Sequence, residues 1–334
     1  MGKLIPVEDM RWDLVNKDNR SMVEEFLDQS VHLSDQTLKQ YDSALKIFFY
    51  WIYENCNNKH FSEIKSIDYL KYQNWLTKNG LSPSAVKLKR STVSSFNQYV
   101  ELYYLETYPT FRNYVTKKIP NPVPSFVNEK NPLNLEEYRL LCNELEKRKL
   151  YQQLAYVKFT FSTGCRKSES KQLLKSDIYL DPIIKDVEIT DKEGVKKKVE
   201  SRSYHTSEIR CKGRGKVGKP RRLQFDQEAM DALKKWLEVR GEDDNPYVFI
   251  TKKGLEVKQI SGDTFNLWCN TIFESIVGRR VHPHLFRESR CTTLVVEQGK
   301  DIKIAQRLLG HNSSETTEIY VIRKDNDASD EAFV

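Results

Sequence analysis

No stretch of this 334-residue chain approaches a run of about 20 apolar residues, so no segment is suited to cross a bilayer as a helix. The opening MGKLIPVEDMRWDLV lacks the apolar core of a secretory leader. Six cysteines, at 56, 142, 165, 211, 269 and 291, are scattered with no Cys-x-x-Cys pair. A disulfide framework is therefore not expected, and the thiols read as reduced and mostly buried in a cytoplasmic protein. His and Cys never cluster at zinc-ligand spacing, which argues against a structural metal. No internal repeat appears.

What is present suits a folded protein with real cores. Hydrophobic residues make up 39% and charged residues 30%, over a length that accommodates two domains of ordinary size. The formal charge is +7, a moderate excess that is compatible with a nucleic-acid partner without requiring one. Its distribution says more: Ile209 to Arg222 contains seven Lys or Arg and no acid.

Residues 1–20 are polar and read as an N-terminal extension. A helical pattern begins near Ser21, and Ser34 reads as the N-cap of the next helix, where Leu38, Tyr41, Leu45, Phe48, Phe49 and Ile52 recur at helical spacing. A third helix starts near Ser66 and stops at Gly80, and a fourth starts near Ser82 with Pro83 in its first turn. These make a small all-α domain over residues 21–116. Pro120, Pro122, Pro124 and Pro132 rule out a continuous helix, so 117–133 reads as an extended linker. The second domain, 134–323, opens with helices, turns to short β-like runs between Ile178 and Phe225 that predict about three antiparallel strands, and returns to helices. An acidic tail, 324–334, ends in Ala332, Phe333 and Val334.

Near the C-terminus stand a His-x-x-Arg pair, His284 and Arg287, then Leu309-Gly310-His311, then Tyr320 nine residues on. Upstream, Thr163-Gly164-Cys165-Arg166-Lys167-Ser168-Glu169 supplies Arg166, and Cys211-Lys212-Gly213 supplies Lys212. Taken singly, each has a plainer explanation. A tyrosine among seventeen is usually core, an arginine after Thr-Gly can cap a helix, and a histidine can be a satisfied buried group. All the plainer explanations would have to hold together, in this order and at this spacing.

The set resembles the tyrosine recombinase (phage integrase) family, in a two-domain form without an arm-binding domain. The first arginine of that family lies in a Thr-Gly-x-Arg-x-Ser-Glu turn, matched here at 163–169. Its second box, Pro-His-x-Leu-Arg-His, is matched by Pro283-His284-Leu285-Phe286-Arg287-Glu288, with Phe286 and Glu288 departing from the pattern. The N-terminal helices match the family's loose core-binding patterns, so the resemblance spans about residues 20–323. It implies a mainly α protein with a small antiparallel β-sheet: an all-α SAM-like core-binding domain joined to a mixed α+β catalytic domain.

The resemblance also implies a chemistry. Tyr320 is the nucleophile, its phenol (pKa about 10) being a better attacker than an aliphatic alcohol. Arg166 and Arg287 hold the non-bridging oxygens of the scissile phosphate, because a planar guanidinium matches a phosphate and stays charged. His284 and His311 hydrogen-bond the phosphate or take the phenol proton. A lysine protonates the leaving 5′-oxygen. Lys212 fits that role best, with Lys216 and Lys219 in the same turn as alternatives. Glu169 buttresses Arg166. The phosphotyrosine conserves the bond energy of the phosphodiester, so neither metal nor ATP is called for.

The partner implied is double-stranded DNA, with the two domains closing around a duplex. Lys39, Lys87, Lys89 and Arg90 are candidate backbone contacts from the first domain, and Arg210, Arg214, Lys216 and Arg221 from the second. Such contacts set salt-dependent affinity rather than sequence preference. Strand exchange between two duplexes implies a homotetramer on DNA, with accessory DNA-bending or directionality proteins as further partners. The acidic tail is the expected link between protomers. The natural reaction reads as integration or excision of a mobile element such as a phage or transposon. Two other readings stay open at this point: a type IB topoisomerase that reseals the same strand, and a DNA-binding module without catalysis.

Overall fold

The computed structural model describes residues 4, 6–123, 131–179, 181–190, 196–211, 218–254 and 256–310. The chain divides into two compact units, the first holding residues 1–128 and the second residues 129–212 and 219–334.

The first unit is helical. Helix α1 (Asp9–Trp12) precedes α2 (Lys17–Gln29), α3 (Asp35–Asn55), α4 (Ser66–Lys78) and α5 (Pro83–Tyr103). Ser34 caps α3 by accepting the Thr37 amide, and Ser82 caps α5 by accepting that of Ala85. Each satisfies one of the orphan donors of a helix start. Phe48, Phe49, Tyr69, Tyr72 and Phe96 are fully buried. They meet mainly edge to face, Phe48 with Tyr72 at 4.9 Å and Phe49 with Phe96 at 5.4 Å between ring centres, as the ring quadrupole favours.

Both ends of this unit reach further than the sequence pattern suggests. Trp12 and Val15, inside the stretch read as a polar extension, are buried in its core. So are Tyr114, Val115 and Ile119, the last of them inside the stretch read as linker. Arg90 holds that return segment in place, donating to the Thr116 carbonyl at 2.7 Å and to Gln73 Oε1 at 3.0 Å, while Gln73 donates to the Pro120 carbonyl at 2.7 Å.

The second unit begins with α6 (Leu135–Lys147), α7 (Tyr151–Thr163) and the single turn α8 (Lys167–Ser170). Strands β1 (Ile183–Thr190), β2 (Lys196–His205), β3 (Ile209–Cys211), β4 (Lys219–Arg221) and β5 (Gln224–Phe225) follow, then α9 (Gln227–Arg240). A hairpin of β6 (Ile250–Lys253) and β7 (Glu256–Gln259) leads to α10 (Gly262–Trp268) and, through one π turn, to α11 (Glu274–Val277). Last come α12 (Pro283–Thr292) and α13 (Ile302–Leu309). Helix α7 carries almost no polar face and runs through the core. Its Tyr156 stacks on Phe265 of α10 at 4.2 Å.

The fold is mainly α with small antiparallel sheets, as the sequence pattern predicts. The three-stranded sheet has the order β1-β2-β5; β3 pairs with β4, and β6 with β7. Among the described residues of this pair, only the end of β2 is tied into the core, through buried Tyr204 opposite Phe225. Earlier along the pair Ile184, Val187 and Val199 are exposed, so β1 and β2 form an arm that stands clear of the core of its unit. Among the described residues no helix is long and apolar enough to cross a membrane, and all six cysteines are buried and free.

Candidate active site

Helix α7 ends because Gly164 takes a left-handed conformation, φ 60°. The chain then turns so that Arg166 becomes the N-cap of α8. Glu169, three residues on, closes a double contact: Oε2 accepts the Arg166 amide at 3.0 Å and Oε1 accepts Nη1 of its guanidinium at 2.9 Å. The Glu169 side chain is fully buried, while that of Arg166 stays 28% exposed. Burial by itself would push Glu169 up, but the Arg166 amide and the charges of Arg166 and Arg221 outweigh it and hold the carboxyl below its usual range. Glu169 is thus an ionised anchor that fixes the direction of Arg166.

Helix α12 starts at Pro283, a residue preorganised for a first helical turn, with His282 extended at the N-cap. This places half-buried His284 one turn before Arg287, on the same face. Burial and the neighbouring Arg280 push His282 down, so it is neutral at pH 7. Arg287 is fully buried. Its Nη1 donates to the Gly164 carbonyl at 2.6 Å and its Nη2 to the Leu309 carbonyl at 2.8 Å. One guanidinium therefore ties the turn carrying Arg166 to the end of α13. There Gly310, also left-handed at φ 65°, stops the helix immediately before His311.

The strand pair β3–β4 supplies the third element. Cys211 ends β3 opposite Lys219, and Lys212 follows it. Arg221 of β4 donates from Nε to Cys211 Sγ at 3.2 Å and from Nη1 to the Leu308 carbonyl at 3.1 Å. Its Nη2 lies 3.5 Å from Glu169 Oε2.

The structure thus gathers Arg166, Glu169 and Arg287, with His284 on the helix of Arg287. His311, Tyr320, Lys212, Arg214 and Lys216 lie outside the described residues, as does the tail 324–334. Lys39 and Lys87 are exposed on α3 and α5; Lys89 is half-buried on α5, and burial pushes it down. Arg210 is exposed on β3. The guanidinium groups of Arg90 and Arg221, expected as phosphate contacts, face carbonyl, carboxylate or thiol acceptors of their own units, as that of the buried Arg287 does. Charge alone does not distinguish an outward arginine from an inward one. The acceptors that turn Arg90 and Arg221 inward lie up to 30 and 87 residues away in sequence. Among the described residues no group of His, Cys, Asp and Glu could hold a metal ion.

The phage integrase family model matches residues 132–327, and the family's N-terminal SAM-like domain matches residues 22–102. The chain belongs to the phage integrase family: it is a tyrosine recombinase with a SAM-like N-terminal domain. It is 32% identical to the SPbeta prophage-derived recombinase-like protein YomM of Bacillus subtilis, over 99% of this chain and 96% of that one. It is 27% identical to tyrosine recombinase XerC of Oceanobacillus iheyensis, over 90% of each chain. In fold it is similar to the XerH site-specific recombinase bound to a palindromic difH substrate, with a TM-score of 0.63 at 18% identity, covering 100% of this chain and 99% of that one.

Proposed function

We propose that the protein cuts and rejoins DNA through Tyr320 without a metal, with Arg166, Arg287, His284, His311 and Lys212 as the catalytic set. The observation that carries this reading is the Arg287 guanidinium, which donates at once to the Gly164 and Leu309 carbonyls. It draws the Thr-Gly-x-Arg turn, the His-x-x-Arg helix and the Leu-Gly-His helix end to one point. In the reaction Tyr320 Oη attacks the scissile phosphorus, forming a 3′-phosphotyrosine. The bond to the 5′-oxygen breaks, and that oxygen leaves with a proton from Lys212. Arg166 and Arg287 hold the non-bridging oxygens, and the histidines hydrogen-bond the phosphate or take the phenol proton. A 5′-hydroxyl of a second strand reverses the step without ATP. Two guanidinium groups and a lysine supply the positive charge and the acid that a metal supplies elsewhere.

The substrate in this reading is duplex DNA, contacted along its backbone by Lys39, Lys87, Lys89 and Arg210, and by Arg214 and Lys216 of the basic stretch that follows β3. The prophage origin of YomM supports a mobile-element context, with integration or excision as the natural reaction. The test is a duplex with a nick-trapped site from the DNA flanking the gene, incubated in EDTA. Wild type should leave a covalent protein–DNA band on a denaturing gel and Tyr320→Phe none. A band surviving in the variant would assign the wrong nucleophile.

Exchange of strands between two duplexes calls for four protomers. A largely basic cavity of about 660 Å³ in the second unit, lined by Arg202, Arg221, Arg222 and Arg307 beside Leu294 and Leu308, suits an acidic segment ending in apolar residues. The tail with Asp325, Asp327, Asp330, Glu331, Phe333 and Val334 is such a segment. It docks in the cavity of a neighbouring protomer in this reading. Deleting 324–334 should abolish the tetramer on DNA in sedimentation while leaving single-site binding. An unchanged tetramer would remove the tail from the assembly.

A further inference from the structure

In the sequence Arg221 is one of seven basic residues of a hairpin with no acid, which suggests a surface charge. In the fold its side chain is only 16% exposed, and all three of its donor nitrogens are directed at other elements of its unit. Nε reaches Cys211, the residue before Lys212. Nη1 reaches the carbonyl of Leu308, three residues before His311. Nη2 faces Glu169, whose other oxygen holds Arg166 at 2.9 Å. Each of the three neighbours therefore lies within three residues of a different member of the catalytic set. A guanidinium fixes these three directions in one plane, which an ammonium on a flexible stem does not do.

A second observation points the same way. Gly310 sits against this fork, and a methyl group on its Cα would collide with Arg221 Nη1 and Cζ. The glycine of the Leu-Gly-His motif thus leaves room for Arg221 as well as adopting the positive φ that ends α13.

We infer that Arg221 is a positioning residue of the recombination reaction: it holds the strand end bearing Lys212, the Arg166–Glu169 turn and the helix end bearing His311 in one register, without touching DNA. The inference rests on the catalytic set proposed above. It also makes Cys211 a positioning contact, since its sulfur is the acceptor nearest to Lys212 in sequence.

The experiment compares wild type, Arg221→Gln, Cys211→Ala and Lys212→Ala in the full-length chain. Each is tested for DNA affinity against salt, and for single-turnover cleavage of the nick-trapped duplex. Cleavage is repeated on a duplex whose scissile 5′-oxygen is replaced by sulfur, because a thiolate leaves without needing a proton. Lys212→Ala sets the scale of a lost acid, about 10²- to 10⁴-fold. Arg221→Gln should keep wild-type affinity and salt slope, lose at least about tenfold in cleavage through misplaced groups, and recover part of that on sulfur. Cys211→Ala should lose less and recover nearly all of its loss on sulfur.

A phosphate contact gives the opposite pattern: weaker binding, a salt slope reduced by about one unit, and normal cleavage once bound. That result overturns the inference, and so does an equal loss on oxygen and sulfur. Should Arg221→Gln fail to fold in a thermal melt, Cys211→Ala decides alone, and normal cleavage of both substrates by it also overturns the inference. Absence of a covalent band with wild type would instead count against the catalytic set.

Discussion

At Gly164 the backbone sits at φ 60°, and a methyl group there would run into the Leu309 side chain. Gly310 meets Arg221 in the same way. The two motif glycines are thus the places where the end of α13 closes on its neighbours, the Arg166 turn and β4. Gly164→Ala combines a left-handed conformation with a collision, and should lower stability by about 1–3 kcal/mol in urea unfolding. It should also slow cleavage in the covalent-band assay, because the carbonyl of Gly164 is a contact of Arg287. Unchanged stability and rate would show that the helix end shifts without consequence. The motifs single out Arg166, Glu169 and Arg287 by their spacing, and the structure brings these three side chains together. The inward turn of Arg90 and Arg221 was not legible, because it depends on acceptors that only the fold brings near.

The helices were the most readable elements. The serine caps at 34 and 82 and the proline at the first turn of α5 fall where the apolar spacing begins, and tertiary packing then follows the same faces. Helix α1 is four residues long and has no periodicity to read; the burial of Trp12 holds it in place. The hairpin β6–β7 escaped notice for a related reason. Its strands are mostly exposed and rich in lysine, so alternation is weak, and a single buried Ile250 anchors it. The described residues on either side of 124–130 are not helical, yet Ile119 and Leu133 are each buried in a core. Prolines restrict the backbone without saying which apolar neighbours find a partner. Between Ile178 and Phe225 the pattern reads as about three short runs, whereas β1 and β2 are eight and ten residues long. The exposure of this arm was not legible either, because Ile184, Val187 and Val199 look like core residues until the fold leaves them uncovered.

At the scale of the molecule, several carboxylates are held ionised by charge pairs within the units. Arg279 donates to both oxygens of Glu137 at 2.7 Å, Arg240 clasps Asp243, and Arg166 and Arg221 flank Glu169. The pKa values of all three acids lie below their usual range. Arg279 is the main cause for Glu137, Arg240 for Asp243, and for Glu169 the amide and cationic neighbours prevail over burial. A depressed carboxylate stabilises the fold above its unfolded pKa, and that contribution is lost as pH falls through the folded value. Urea midpoints should therefore be level above about pH 5 and fall as pH drops through about 4 and below. A midpoint that rises on acidification would contradict these pairings. The sequence by itself determined the family, the helical first unit, the order of the motifs and the basic stretch 209–222, because spacing and residue type are local properties. The tertiary structure alone decided that Arg221 and Arg90 turn inward, that Arg287 joins two carbonyls 145 residues apart in sequence, and that both motif glycines mark close approaches. Those outcomes depend on which distant donors and acceptors meet once apolar surface is buried, and no local pattern encodes that meeting.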